Sequence, residues 1–351
     1  MQISHIHATG SSEPRATPAH DALQRLDTRG RCRVTIETDA GVSGVGFSNF
    51  GRIDRAPHVL AHLINDVLAP ELIGEDPFLI RGLRDKLWRL TNYHGSEGLA
   101  LFGIAAIDEA LWDLVGNAVQ QPVWRLLGAQ RTCVPAYSMV GWLNYSPDEL
   151  KRICEQAMEQ GFRGVKIKVG AETLAEDVAR IEAVRSVVGA PQGDRNLIMV
   201  DANQVFARHE ALRRGRVYEE MGCYWFEEPL RADDTDGLAQ LARELTIPIA
   251  SGENNFGKRQ FRALFEQRAV DIVQPDLRRA GGVTECLEIG LMADAFNVPY
   301  ASHGGGVHLH VLAALPNTLF MESGLLPPDS PMQLVDGCFP LPETPGFGRS
   351  T

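Results

Sequence analysis

Asp201, Glu227 and Glu253 stand 26 residues apart, and each closes a short apolar run: residues 197–200, Tyr224-Trp225-Phe226 and residues 247–252. A carboxylate at the C-terminal tip of successive strands, one strand–helix unit apart, lets a barrel converge three oxygen ligands on one hard cation. One such residue would be an ordinary solvated strand end; three in register point to a metal site. Upstream, Val165-Lys166-Ile167-Lys168-Val169 alternates, so Lys166 and Lys168 share a face. Inside a barrel an ammonium is costly unless it is used. Two ammoniums near a divalent cation each favour loss of the other's proton, which brings one lysine toward general-base range. Taken alone, the segment also reads as an edge strand with two solvated lysines.

Two later apolar runs end in Gln274-Pro275-Asp276 and Ser302-His303-Gly304. An aspartate that hydrogen-bonds a histidine one unit further on would fix its tautomer and raise its basicity. Leu319-Phe320-Met321 leads to Glu322, a fourth carboxylate at the same end. It could be a ligand, a salt-bridge member or a protonated acid that donates a hydrogen bond. Asn203, two residues past Asp201, is a further polar candidate. Val307-His308-Leu309-His310 looks like a metal tag, but in a helix histidines two apart do not share a face. Gly304-Gly305-Gly306 lacks the strand and helix context of a dinucleotide site and reads as room for a close ligand.

The elements that must position these groups change in texture near residue 131. Before it the chain reads as α+β: an opening strand, a polar stretch over 10–27, a period-two strand over 33–38, the turn Asp39-Ala40-Gly41, a return strand over 42–47, and helices near 55–70, 77–92 and 99–118. After it, strands are predicted at 134–140, 164–169, 197–201, 224–227, 247–253, 272–275, 300–303 and 319–322, with helices such as 147–160, 172–188, 206–221 and 282–296 between them. Eight such units favour a β/α barrel over an open sheet. The expected organisation is an α+β cap over 1–130, a barrel over 131–324, and a tail over 325–351 that packs back on the cap.

Composition bounds the rest. The 351 residues are 44% hydrophobic, ample for a large core. A net charge of −11 argues against nucleic acid or an anionic membrane as partner. Six cysteines without a C-x-x-C pair read as reduced thiols, not a zinc site or disulfide framework. No run is long enough to span a membrane, residues 1–20 lack the apolar stretch of a signal peptide, and a cytoplasmic protein is expected.

A divalent ion on three carboxylates, with lysines on one side and a His–Asp pair on the other, suits removal of the weakly acidic proton α to a carboxylate. The set Lys166-Ile167-Lys168, Asp201, Glu227-Glu228-Pro229, Gly252-Glu253-Asn254, Asp276, His303 and Glu322 resembles the mandelate racemase subgroup of the enolase superfamily. The likeness extends to Ala106-Ile107-Asp108, Ala110-Leu111-Trp112-Asp113 and Leu126-Leu127-Gly128. It implies an α/β fold, a modified (β/α)7β TIM-type barrel under an α+β capping domain. It also implies Mg²⁺ on Asp201, Glu227 and Glu253, Lys168 as one acid/base, and Lys166 on the substrate carboxylate, lowering the Lys168 pKa. His303–Asp276 would be the opposite acid/base and Glu322 a hydrogen-bond donor to the substrate carboxylate. The ligand would be a small carboxylate, and homo-oligomers are common in such families.

Bases on two sides permit racemisation, but the same groups serve dehydration, the commoner outcome in this subgroup. Residues 306–310 followed by Ala313-Ala314-Leu315-Pro316 look like the matching stretch of aldarate dehydratases. The polar stretch 11–20 favours a hydroxylated substrate, and Arg15 or Arg52 could meet a distal carboxylate by a forked contact. An aldonate or aldarate dehydratase is therefore expected. The rivals are a racemase, epimerase or cycloisomerase using the same residues, and a catalytically silent sugar-acid binder.

Overall fold

The computed structural model describes residues 1–330 and 332–349. The chain opens with β1 (Ile3–His20), β2 (Arg25–Thr38) and β3 (Ser43–Gly51), an antiparallel sheet in that order. β1 and β2 form a long hairpin, and this departs from the expected polar loop over 10–27. Pairing runs on through Gly10↔Cys32 and Pro14↔Thr28, slips once, and resumes at Ala19↔Leu26. Proline is tolerated there because β1 lies at the sheet edge, where its missing N–H breaks no ladder.

Helices α1 (Ala56–Leu63), α2 (Ile80–Gly95) and α3 (Leu99–Ala118) cover the sheet, and one turn, α4 (Val123–Leu126), follows. The predicted helix over 55–70 is α1 extended by a π turn over Ile64–Leu68. α3 lies directly on β3 because that strand carries glycine where it crosses. A Cβ at Gly44 would stand 2.3 Å from Ala110 O, and one at Gly46 2.0 Å from Ala106 O. Ile3, Val34, Ile36, Leu60, Leu87, Ile104 and Leu111 are among the residues of this first core.

Eight parallel strands then close a barrel: β4 (Cys133–Gly141), β5 (Gly164–Lys168), β6 (Leu197–Asp201), β7 (Phe226–Glu227), β8 (Ile249–Ser251), β9 (Ile272–Val273), β10 (Tyr300–Ala301) and β11 (Thr318–Ser323). Each pairs with the next, and β11 returns to β4 through Met321↔Ala136, Glu322↔Tyr137 and Ser323↔Ser138. All eight predicted strands are present. Several are shorter than expected because their tips leave the ladder to carry side chains into the site. The outer helices are α5 (Pro147–Glu159), α6 (Leu174–Val188), α7 (Arg208–Glu220), α8 (Thr235–Glu244), α9 (Gly257–Glu266), α10 (Leu277–Ala280), α11 (Val283–Ala295) and α12 (His308–Ala314). A last strand, β12 (Cys338–Pro340), pairs antiparallel with β4.

The barrel interior is layered. Its floor is apolar and aromatic, built by Tyr137, Leu197, Met199, Trp225, Ile272 and Phe320. Strand parity puts the next inward residues one layer higher: Lys166 and Lys168 on β5, Asp201 after Met199, Glu227 after Trp225, Glu322 after Phe320. The C-terminal segment crosses to the first core. Phe347 N donates to Asp113 Oδ1 at 2.7 Å, and the Arg349 guanidinium donates to Val45 O at 3.1 Å and pairs with Glu109.

Candidate active site

The site lies at the C-terminal ends of the strands, where barrel enzymes place their chemistry. Asp201, Glu227 and Glu253 are 0%, 1% and 7% exposed, and one oxygen from each lies within 4.8 Å of the others. Gly252, at φ +140°, turns the chain after β8 so that Glu253 points inward. Three buried carboxylates this close repel one another. Burial, with Asp201, Glu322 and Glu253 adding to it against Lys166, pushes the Glu227 carboxyl up to about 7. Trp225 Nε1 and Gln274 Nε2 donate to Glu227 Oε2 at 3.0 and 2.9 Å, while the buried Glu253 Oε2 has only a contact with His303 Nε2 at 3.1 Å. A buried hard-oxygen donor set with excess negative charge fits a divalent cation such as Mg²⁺.

Lys166 lies 2.5 Å from both Glu227 Oε1 and Glu322 Oε2 and 3.7 Å from Asp201 Oδ2. Burial would lower its pKa, but these carboxylates hold it well above the ordinary value. Lys168 pairs with Asp201 and lies 5.5 Å from the centre of the Trp142 ring. Burial and Lys166 favour loss of its proton; Asp201 outweighs them and holds the pKa above the usual lysine range. The depressing effect of Lys166 expected from the sequence is therefore present, yet it is not the dominant one here.

His303 Nδ1 lies 2.9 Å from Asp276 Oδ2, and its Nε2 lies 3.1 Å from Glu253 Oε2. Burial opposes a charged imidazole, but Glu253 and Asp276 hold the His303 pKa above its ordinary value. Asp276 caps α10, accepting from the Arg278 and Arg279 backbone N–H groups at 2.9 and 3.1 Å. It also pairs with both oxygens to the Arg278 guanidinium, and against burial those arginines hold its carboxyl well below the usual range. Arg278 reaches on to Asn49 O at 2.9 Å, tying the dyad to β3.

Glu322 accepts from Tyr137 Oη at 2.9 Å and Gly304 N at 3.0 Å as well as from Lys166. Burial would raise its pKa; Lys166 and His303 instead bring it down to about 2. It stands here as an ionised acceptor, whereas a donor role requires its proton. Asn203, at φ +45°, donates its N–H to Asp201 Oδ1 at 2.9 Å, and its own buried Oδ1 has no hydrogen-bond partner.

These groups floor a cavity of about 630 Å³ lined by Lys166, Lys168, Asn203, Glu253, His303 and Glu322. Its upper wall comes from the hairpin turn, the end of β3, α1 and the start of α3. The structure does not bring the two sequence-predicted arginines there. Arg15 lies on β1, its guanidinium 5.8 Å from the Trp142 ring, and lines a separate cavity with Arg29 and Arg31. Arg52 is exposed, at φ +69°. Arg278, Arg279 and Arg55 line the cavity instead. Sequence reasoning missed Arg278 and Arg279, although their place two and three residues after Asp276, at a short helix start, was a usable signal. It also passed over Glu228, wholly buried and raised well above the usual carboxyl range by burial and by Glu253 and Asp201.

Residues 5–128 match the mandelate racemase / muconate lactonizing enzyme N-terminal domain, and residues 149–350 match the enolase C-terminal domain-like family. The chain belongs to the mandelate racemase branch of the enolase superfamily. Among its relatives is the arabinonate dehydratase of Saccharolobus solfataricus, 37% identical over 328 residues that cover 89% of this chain and 86% of the relative. A racemase from Streptomyces coelicolor with bound magnesium superposes with a TM-score of 0.92 at 30% identity, over 99% of this chain and 96% of the other. The L-talarate/galactarate dehydratase of Salmonella typhimurium, liganded with Mg and L-lyxarohydroxamate, gives 0.91 at 34% identity over 99% and 90%. The buried carboxylate triad of this superfamily member is suited to hold such a metal ion.

Proposed function

We propose that the protein dehydrates an acid sugar, an aldonate or aldarate, to a 2-keto-3-deoxy acid. The observation that carries this is one cavity with Lys168 on one side of the carboxylate triad and the His303–Asp276 dyad on another, their strands β5 and β10 three places apart the shorter way round. Asp201, Glu227 and Glu253 would hold Mg²⁺, which when bound would supply positive charge to the substrate carboxylate and offset the hold of Asp201 on the Lys168 proton. Lys168 takes the α-proton. His303, protonated and oriented by Asp276, gives a proton to the departing β-hydroxyl, so the C–H and C–O bonds break and water leaves. The enol then ketonises. Lys166 meets the substrate carboxylate, and Glu322, once protonated, donates to it. Asn203 offers its free Oδ1 to a substrate hydroxyl.

The element order supports a (β/α)7β barrel over 131–324, seven strands each leading to helix and the eighth leading to the tail. Residues 1–130 with 325–351 would act as its cap, and we expect a homo-oligomer. Two acid/base groups around one carbon also suit a racemase or epimerase. A screen of mono- and diacid sugars with Mg²⁺, trapping 2-keto products with semicarbazide, tests the choice. Signal that disappears in Lys168→Ala and His303→Ala supports dehydration. Exchange of the α-proton in D₂O without water loss would replace that reading with racemisation.

A further inference from the structure

The cavity has two unlike ends. Its floor is charged and polar, as described. Its far wall is mostly carbon: beside Gln24 and Asn49 it has Leu26 from β2, Phe50 from β3, Ile53, Val59 from α1, and Leu99 and Phe102 from α3. Phe50 and Phe102 stack with centroids 5.5 Å apart. Ile53, Val59 and Leu99 are 63%, 51% and 39% exposed. Single apolar side chains on a surface are ordinary, but several converging on the mouth of one cavity mark a binding surface.

A second carboxylate finds little to meet there. Arg278 is paired with Asp276, and Arg279 Nη1 lies 3.6 Å from the same carboxylate, so both serve the dyad at the floor. Neither Arg15, which lies behind the lining residue Trp142 at 5.8 Å from its ring, nor Arg52 lines the cavity. Arg55 lines the mouth, but at an exposed position, where water screens its charge. A charge placed against the apolar wall would lose water without gaining a partner. A cavity of about 630 Å³ also has room for more than the reacting three carbons.

We infer that the substrate is a monocarboxylic sugar acid whose far end presents carbon, such as a terminal methyl group, in place of a second carboxylate. This rests on the acid-sugar reading above and narrows it. The floor recognises the carboxylate and the hydroxyls nearest to it; the wall recognises what lies beyond them. A hydrophobic pocket gains from an added methyl group but discriminates only modestly against a hydroxyl.

The test compares matched triplets, a 6-deoxyhexonate, the parent hexonate and the corresponding hexarate, across the C2–C5 stereochemical series with Mg²⁺ present. In the active series the 6-deoxyhexonate should exceed the hexonate about tenfold in kcat/KM, with the hexarate slowest. Ile53→Arg, at an exposed position, should narrow the hexarate's deficit, and Arg55→Gln should leave the hexonate-to-hexarate ratio unchanged. A hexarate that is the best substrate, or a ratio that collapses in Arg55→Gln, overturns the inference while leaving dehydration intact. If no triplet shows water loss or α-proton exchange, the acid-sugar reading is overturned, and this inference with it.

Discussion

Replacing Asp276 with asparagine isolates the part of the machinery that sets the proton on His303. Asp276 Oδ1 accepts three donors: Arg278 N, Arg278 Nε and Arg279 N, at 2.9, 3.0 and 3.1 Å. An asparagine that keeps its oxygen there must turn its NH₂ toward His303 Nδ1, now 2.9 Å from Asp276 Oδ2. The imidazole then accepts at Nδ1 and carries its proton on Nε2, the reverse of the arrangement that leaves Nε2 free to take a proton. Losing the anion also removes what supports the imidazolium. Misplaced general acid–base catalysis costs roughly 10²- to 10⁴-fold in kcat, or about 2.7–5.4 kcal/mol of barrier. The fold should suffer less. The Arg278 side chain is 24% exposed, so water replaces part of its lost partner, and unfolding free energy should fall by about 1–3 kcal/mol. Keto-product formation at saturating substrate and Mg²⁺, urea unfolding of the same variant, and KM measured alongside separate the two effects. A folded Asp276→Asn enzyme with kcat within threefold of wild type would refute the assignment of His303 and Asp276.

Lys168→Ala should abolish α-proton exchange yet bind Mg²⁺ more tightly, by about tenfold, because it removes an ammonium that competes for Asp201; calorimetry showing weaker binding would count against that competition. Mg²⁺ at a hundred times its Kd should stabilise the protein by about 2.7 kcal/mol, seen as a melting-temperature rise that EDTA reverses and Glu227→Gln lacks. His310 accepts from Trp124 N at 3.1 Å, and burial brings its pKa down to about 3. Its folded value lies below the unfolded one near 6.5, so its contribution is present above pH 6.5 and lost as pH falls toward 3. That loss is on the order of a few kcal/mol, and His310→Gln should flatten unfolding free energy across the window. An unchanged slope between pH 7 and 4 would show that other groups set the acid limit.

The floor of the site was legible because strand geometry converts spacing into direction. Period two puts Lys166 and Lys168 on one face, and one carboxylate per strand–helix unit brings Asp201, Glu227 and Glu253 to a common rim. The two histidines set aside as structural, His308 and His310, are indeed buried at 1% and 3% exposure, one against Tyr300 and the other under the Trp124 backbone. The upper wall was not legible. A stretch with Ser11, Ser12, Pro14 and Pro18 reads as a loop, yet backbone pairing to β2 overrides that composition, and Arg15 falls in the register slip between Pro14 and Ala19.

Protonation was hidden for a related reason, since it depends on distances between strands, not on order along one. Lys166 stands among Glu227, Glu322 and Asp201, which come from three different strands, and holds the Glu322 pKa down, while Asp201 beside Lys168 holds that lysine's pKa up. Substrate choice falls on the same side of the line. The catalytic floor is made by residues that strand parity aims, whereas Leu26, Phe50 and Leu99 meet only because a hairpin, a strand end and a helix start fold over one opening. A relative with the same floor and a different hairpin could therefore keep the chemistry and change the acid. That is why the mouth, more than the metal site, should separate the substrates of this chain from those of its relatives.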